Sequence, residues 1–293
     1  MELREDDVVT NGVRLHVVEA GPESGDLVVL LHGFPEFSFG WRAQLGPLAG
    51  AGYRVVVPDQ RGYNLSDKPR GLAAYCLDEL VADIAGLIGA TGRRQAFVVA
   101  HDWGGAAAWW LALTRPELVR ALVVINAPHP VVLRRLLRTS PAQRRKSRYM
   151  LYFQLPWLPE RRLARDDFAY MAAALARTSR PGTFAVDDLA RYREAWARPG
   201  ALTAMLNWYR AALRRPPKRP PTLRVVAPTL LVWGARDRFL GQELVAPSLE
   251  LCDRGRAEIL PDATHWVQHE EPGRVNTLLL DFFASTATGP AAT

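Results

Sequence analysis

The chain has 293 residues, 48% hydrophobic and 23% charged, with a formal net charge of +7. That length is long for one plain domain and short for two, so one core with a sizeable insertion is expected; no apolar run reaches the 18 residues of a membrane span, so no membrane partner is expected. The acidic start MELREDDVVT is not a secretory signal, and Cys76 and Cys252 are too few for a disulfide framework and lack metal-ligand spacing, which points to a reduced, cytoplasmic protein.

The positive charge comes almost wholly from arginine and is densest in RRLLRTSPAQRRKSR (Arg134–Arg148). No reader motif accompanies it, so no nucleic-acid partner is expected. Along the chain, DVVTNGVRLHVVEAG sets Asn11-Gly12 between two β-rich runs, a hairpin signal. DLVVLLHGFP and YRVVVPDQRG are short, nearly continuous apolar runs that end in turn residues. Strands of that kind are buried on both faces, as in a parallel sheet. CLDELVADIAGLIGATG places Leu77, Leu80, Val81, Ile84, Leu87 and Ile88 at helical spacing before a glycine. The strand QAFVVAH, the helix GGAAAWWLALTRP and the strand ALVVINAP follow. Strands alternating with helices predict a doubly wound, mostly parallel α/β sheet.

That rhythm stops near His129. Residues 130–221 are rich in Arg, Ala and aromatics, with helical patterns and no clear buried strand. After the stiff RRPPKRPP, the strands APTLLVWGARD and RAEILPDATHW and the closing helix PGRVNTLLLDFFAS restore the α/β pattern. The tail TATGPAAT is expected to be unstructured. The predicted organisation is therefore a core in two parts, 1–129 and 222–293, interrupted by a helical cap at 130–221.

Ligands of open α/β sheets bind at the carboxyl ends of the strands. Those ends hold His32-Gly33-Phe34-Pro35-Glu36, Asp59, Asp102, Asn126, Asp237 and His265. A nucleophile elbow needs small residues about its tip, and Ala100, Gly104 and Gly105 supply them. The tip is Asp102 where G-x-S-x-G would carry serine. An aspartate there can be a plain helix cap, and a lone histidine is more often structural. The conjunction selects catalysis: Asp102, Asp237 and His265 stand in the order nucleophile, acid, histidine. Asn126 is no rival acid for Asp237. His16, His101, His129 and His269 are read as structural, and Asp59 as a residue that fixes the loop after its strand.

With these motifs in place, the chain resembles the epoxide hydrolases of the α/β-hydrolase fold, which are related to haloalkane dehalogenases. The resemblance rests on HGFPE (32–36), DQRGYNLSDKP (59–69), HDWGG (101–105), YMLYFQ (149–154), NWYR (207–210), WGARD (233–237) and THWVQHEEP (264–272). It implies opening of a small lipophilic epoxide to a vicinal diol. Asp102 would form an alkyl ester, which water activated by His265-Asp237 would hydrolyse. It further implies two cap tyrosines as acids on the epoxide oxygen, matched by Tyr149 and Tyr209, with Tyr152 the rival of Tyr149. Backbone N–H groups of Phe34 and Trp103 would form the oxyanion hole, and Pro35, Tyr152 and Trp266 would contact substrate, with Phe34, Trp103 and Trp266 as an apolar wall. Phe34-Pro35 is a candidate cis peptide. No metal or organic cofactor is implied, and a homodimer is left open. Ala100 and Asn64 depart from the usual glycines. The alternatives are a dehalogenase that uses the same aspartate and a non-catalytic or biosynthetic relative.

Overall fold

The computed structural model describes residues 2–287. β1 (Arg4–Thr10) and β2 (Val13–Ala20) form the hairpin read from Asn11-Gly12. Thr10 pairs with Val13, and both turn residues have positive φ, 48° and 71°, as a tight I′-type turn requires. Then come β3 (Leu27–Leu31), α1 (Arg42–Gly50), β4 (Arg54–Pro58), α2 (Leu77–Ala90), β5 (Ala96–His101), α3 (Asp102–Thr114) and β6 (Val119–Ile125). Seven helices follow without a strand among them: α4 (Pro130–Thr139), α5 (Pro141–Lys146), α6 (Arg148–Tyr152), α7 (Leu158–Leu163), α8 (Arg165–Thr178), α9 (Val186–Ala197) and α10 (Ala201–Arg214). β7 (Thr229–Gly234), α11 (Val245–Leu249), β8 (Gly255–Leu260), α12 (Val267–Glu270) and α13 (Pro272–Ala287) complete the chain.

The sheet order is β1-β2-β4-β3-β5-β6-β7-β8, with β2 antiparallel to both its neighbours and every other pair parallel. This is the α/β-hydrolase architecture expected from the sequence. Its central strands read as continuous apolar runs because both faces are covered. Along β3, Leu27, Val29 and Leu31 join one core and Val28 and Leu30 the other. The first core takes in α2 and α3, the second α1 and α13. Each fully buried Val or Leu contributes roughly 1.5–3 kcal/mol, so the period-two alternation fixes the register of the sheet.

From β3 the chain moves outward to β4, then returns to place β5 on the other side of β3. The chain thus reverses direction across the sheet at β3/β5, where a crevice opens beyond the strand ends. The turns after β3 and β5, HGFPE and HDWGG, both sit at that point. α13 continues through Thr286 and Ala287, beyond the predicted end at Ser285, because the stripe of Val275, Leu278, Leu279, Phe282 and Phe283 keeps the helix on the sheet. Only the first two residues of TATGPAAT are therefore corrected to helix; 288–293 lie outside the described residues. Cys76 and Cys252 are free. Among the described residues no helix is long and apolar enough to cross a membrane, and no group of three His, Cys, Asp or Glu could hold a metal ion.

Candidate active site

Asp102 sits where β5 turns into α3, with φ +49°. A non-glycine residue there costs on the order of 1–2 kcal/mol, so the surroundings must hold it. Close packing does so. A Cβ on Gly104 would lie 2.4 Å from the Leu31 carbonyl oxygen, and one on Gly33 would lie 2.4 Å from Asp102 Cβ. These two positions must be glycine for α3 to start against β3 and for the HGFPE turn to reach the aspartate. That turn contains the cis Phe34-Pro35 peptide expected from the resemblance. Its Phe34 N–H donates to Asp102 Oδ1 at 2.9 Å. The Trp103 N–H lies in the first turn of α3, where no carbonyl four residues back exists inside the helix to accept it.

Asp102 Oδ2 lies 3.7 Å from His265 Nε2. On the far side of the ring, His265 Nδ1 donates to Asp237 Oδ2 at 2.7 Å. Asp237 is fully buried and saturated with donors. Asn126 Nδ2 gives a bond of 2.6 Å to the same Oδ2, and the Phe239 and Leu240 N–H groups give 2.6 and 2.9 Å bonds to Oδ1. Asn126, which is no rival to Asp237 as an acid, instead orients the Asp237 carboxylate. It is itself held by the Gly234 N–H at 2.8 Å and has φ +44°.

Burial works against every charge here, but the charges hold one another. Asp102 falls below the usual carboxylate range because the His265 bond and charge outweigh burial. Asp237 falls likewise through His265 and its N–H donors. His265 loses to burial but gains more from Asp237 and Asp102, and its pKa is pushed up to about 10. A pKa raised above its unfolded value of about 6.5 stabilises the fold fully below pH 6.5. That stabilisation is lost as pH rises toward 10. Thermal midpoints should therefore fall between pH 7 and 10 in the wild type, and His265→Gln should flatten that slope. Parallel slopes for the two proteins would remove His265 as the cause.

A second buried carboxylate lies behind the turn. Glu36 Oε1 accepts from Tyr192 Oη at 2.9 Å and His269 Nε2 at 2.6 Å, and Oε2 accepts from His101 Nδ1 and Gln268 Nε2, both at 3.0 Å. Burial pushes its pKa up, but His269 and His101 bring it well below normal. His101 Nε2 also bonds the His265 carbonyl at 2.9 Å. Glu36 thereby joins the HGFPE turn, the elbow strand, the His265 loop and α9. Trp196 adds a 2.6 Å bond from Nε1 to the Pro35 carbonyl. Nothing in the local sequence marks this cluster except HGFPE and the nearby histidines. Glu36→Ala leaves four buried donors without an acceptor. It should cost about 3–5 kcal/mol in chemical denaturation, whereas a loss under 1 kcal/mol would show that the cluster relaxes freely.

The cavity facing Asp102 has a volume of about 460 Å³. Phe34, Pro35, Tyr149, Tyr152, Tyr209, His265 and Trp266 line it, together with Phe239 and a face of α8 (Met171, Leu175, Thr178) that the sequence did not reveal as a wall. Trp103 differs from expectation. Its ring is not part of the lining but packs edge-on against Tyr209 (4.9 Å), which is, and against Trp208 (5.9 Å). The rings of Tyr149 and Tyr209 are 6.0 Å apart. Burial, and the charge of Asp102, push both phenol pKa values up, so both stay protonated. The Tyr152 hydroxyl instead donates to the Leu158 carbonyl at 3.3 Å. Arg210 fixes α6 against α10: Nε bonds the Phe153 carbonyl (2.9 Å), and the guanidinium pairs with Glu160 at 2.6 Å. Asp59 holds its loop as expected, accepting from the Ser38 N–H and Asn64 Nδ2; Asn64 has φ +37°.

A family model described as alpha/beta hydrolase fold matches residues 26–272. The chain is 49% identical over 275 residues to the AB hydrolase superfamily protein YfhM of Bacillus subtilis, covering 94% of this chain and 96% of that protein. It is 38% identical over 278 residues to human epoxide hydrolase 4, covering 93% and 76%. The solved structure of Bacillus megaterium epoxide hydrolase in complex with an inhibitor superimposes with a TM-score of 0.86 at 33% identity, covering 95% of this chain and all of that one. The chain belongs to the α/β-hydrolase fold family and, within it, to the epoxide hydrolases.

Proposed function

We propose that the chain hydrolyses lipophilic epoxides to vicinal diols through an ester of Asp102, with residues 130–221 acting as the cap over the site. The observation that carries this is a cavity with an ionised aspartate on its core side and two protonated phenols, Tyr149 and Tyr209, on its cap side. An ionised carboxylate needs no base to attack carbon. An epoxide oxygen leaves as an alkoxide, and two raised-pKa phenols are suited to donate hydrogen bonds to it as charge develops.

Asp102 Oδ1 is held by the Phe34 N–H, which leaves Oδ2 to attack. The C–O bond of the epoxide breaks as the Oδ2–carbon bond forms. Oδ1 then becomes the ester carbonyl, already in place for the Phe34 and Trp103 N–H groups to stabilise an oxyanion. Ester formation removes one of the two carboxylate charges that hold the His265 proton. His265 can release that proton to the alkoxide and then, oriented by Asp237, take one from the attacking water.

The halide alternative requires indole N–H donors toward the leaving group. The Trp266 indole already donates to Thr178 Oγ1 at 3.0 Å, and Trp103 lies outside the lining. The test is diol formation from styrene oxide alongside halide release from a chloroalkane. Diol without halide supports the proposal, and halide without diol sinks it. Tyr209→Phe should lower kcat by about 10²-fold, with Tyr149→Phe similar, each as the loss of one preorganised donor. Measured with styrene oxide, a loss under threefold in both variants would dismiss the tyrosine pair.

A further inference from the structure

The cavity carries ionised side chains in two places. Asp102 and His265 face its inner end. Arg148 of α6 and Arg162 of α7 also line it, and both are exposed, so they stand at its opening. The rest of the lining is largely aromatic and aliphatic, Phe153 and Leu175 included. Among the described residues, neither arginine has a carboxylate partner. Of the acids close in sequence to Arg162, Glu160 pairs with Arg210 at 2.6 Å and Asp167 with Arg193 at 3.5 Å, and Asp166 makes no ion pair with either arginine. The Arg162 guanidinium stands over the rings of Tyr170 (5.2 Å) and Tyr152 (6.0 Å), which hold it at the rim. Two unpaired guanidinium groups at the opening present a positive rim to an entering ligand. The few polar groups in an apolar pocket set which way round its ligand lies.

We propose that Arg148 and Arg162 form an anion subsite that takes the carboxylate or phosphate head of an amphiphilic molecule whose apolar chain runs inward to Asp102. In combination with the proposed function, the substrate class becomes anionic long-chain epoxides. A guanidinium presents two parallel N–H groups to either head.

Binding without chemistry tests the subsite directly. Calorimetry would compare dodecanoate, dodecyl phosphate and dodecanol on the wild type, on Arg148→Gln/Arg162→Gln and on the corresponding double lysine variant. At low salt the wild type should prefer at least one anion to dodecanol by about tenfold. The glutamine pair should lose that preference and the lysine pair should keep part of it. About 0.5 M salt should shrink it through screening. The better-bound anion identifies the head. Equal binding of all three ligands, or a preference kept by the glutamine pair, overturns the subsite. Turnover of an epoxy fatty acid and its methyl ester, read as a ratio on each protein, extends the test to substrate. Arginine-dependent anion binding with no epoxide turned over would sink the proposed function and leave the subsite. Diol from styrene oxide with no anion preference would do the reverse.

Discussion

Asp102→Asn is expected to lower epoxide turnover by about six orders of magnitude, the scale seen when an attacking side chain is removed. Asparagine keeps the shape of the side chain and an acceptor for the Phe34 N–H, so the elbow should survive. What it lacks is the negative charge with which, on the proposed route, Oδ2 would displace an alkoxide. The route can also be followed in the intact protein. In a single turnover in ¹⁸O-labelled water, the diol should carry unlabelled oxygen taken from Asp102, while the peptide containing Asp102 gains the label. That follows because water attacks the ester carbonyl and the Oδ2–carbonyl bond breaks. A labelled first-turnover diol with an unlabelled peptide would mean that water attacks the epoxide directly, and Asp102 would be a base rather than a nucleophile.

His265→Gln separates the two half-reactions. Attack by Asp102 needs position and charge: without the histidine the Phe34 N–H still holds Oδ1, while loss of the His265 charge lets burial raise the Asp102 pKa, so attack should slow at low pH and be restored as pH rises. Hydrolysis of the ester needs a base, whose contribution is typically about 10²–10⁴-fold. The variant should therefore consume one equivalent of epoxide per site and stop. Intact-protein mass spectrometry should show a mass increase equal to that of the substrate. The pH dependence should divide in the same way. Ester formation should be flat across neutral pH, since Asp102 lies below the usual carboxylate range. Ester hydrolysis should fail on the acid side, where His265 keeps its proton even after the Asp102 charge has gone. Steady turnover by His265→Gln with no adduct would assign the base elsewhere.

The parts of the site that could be read in the sequence are those announced locally. Asp102 lies between an apolar strand and a glycine-rich helix start, Asn11-Gly12 marks its own hairpin, and Asp237 and His265 each lie in the turn that follows a strand. The Glu36 cluster could not be read, because residues 36, 101, 192, 268 and 269 meet only through sheet order and the return of α9 onto the core. Asn126 was hidden for a different reason. An amide that orients an acid looks in sequence like the absence of an acid. Tyr149 and Tyr152 are three residues apart on one short helix, so spacing alone left both eligible. Their surroundings differ because the chain after Tyr152 folds back and offers the Leu158 carbonyl to its hydroxyl. α8 was legible as helical, but which wall it forms depends on packing that no local pattern encodes.

The bonds from α9 to the HGFPE turn bear on how this enzyme could be re-engineered. Tyr192 and Trp196 lend the Glu36 carboxylate and the Pro35 carbonyl two of their partners, while Asp188 holds Arg42 at 2.8 Å. The helical segment is therefore not a detachable module laid over a finished core. A chimera that imports a foreign segment to change selectivity must bring equivalents of residues 188, 192 and 196. Without them it would inherit a buried anion with fewer donors, directly behind the amide that holds the Asp102 carboxylate.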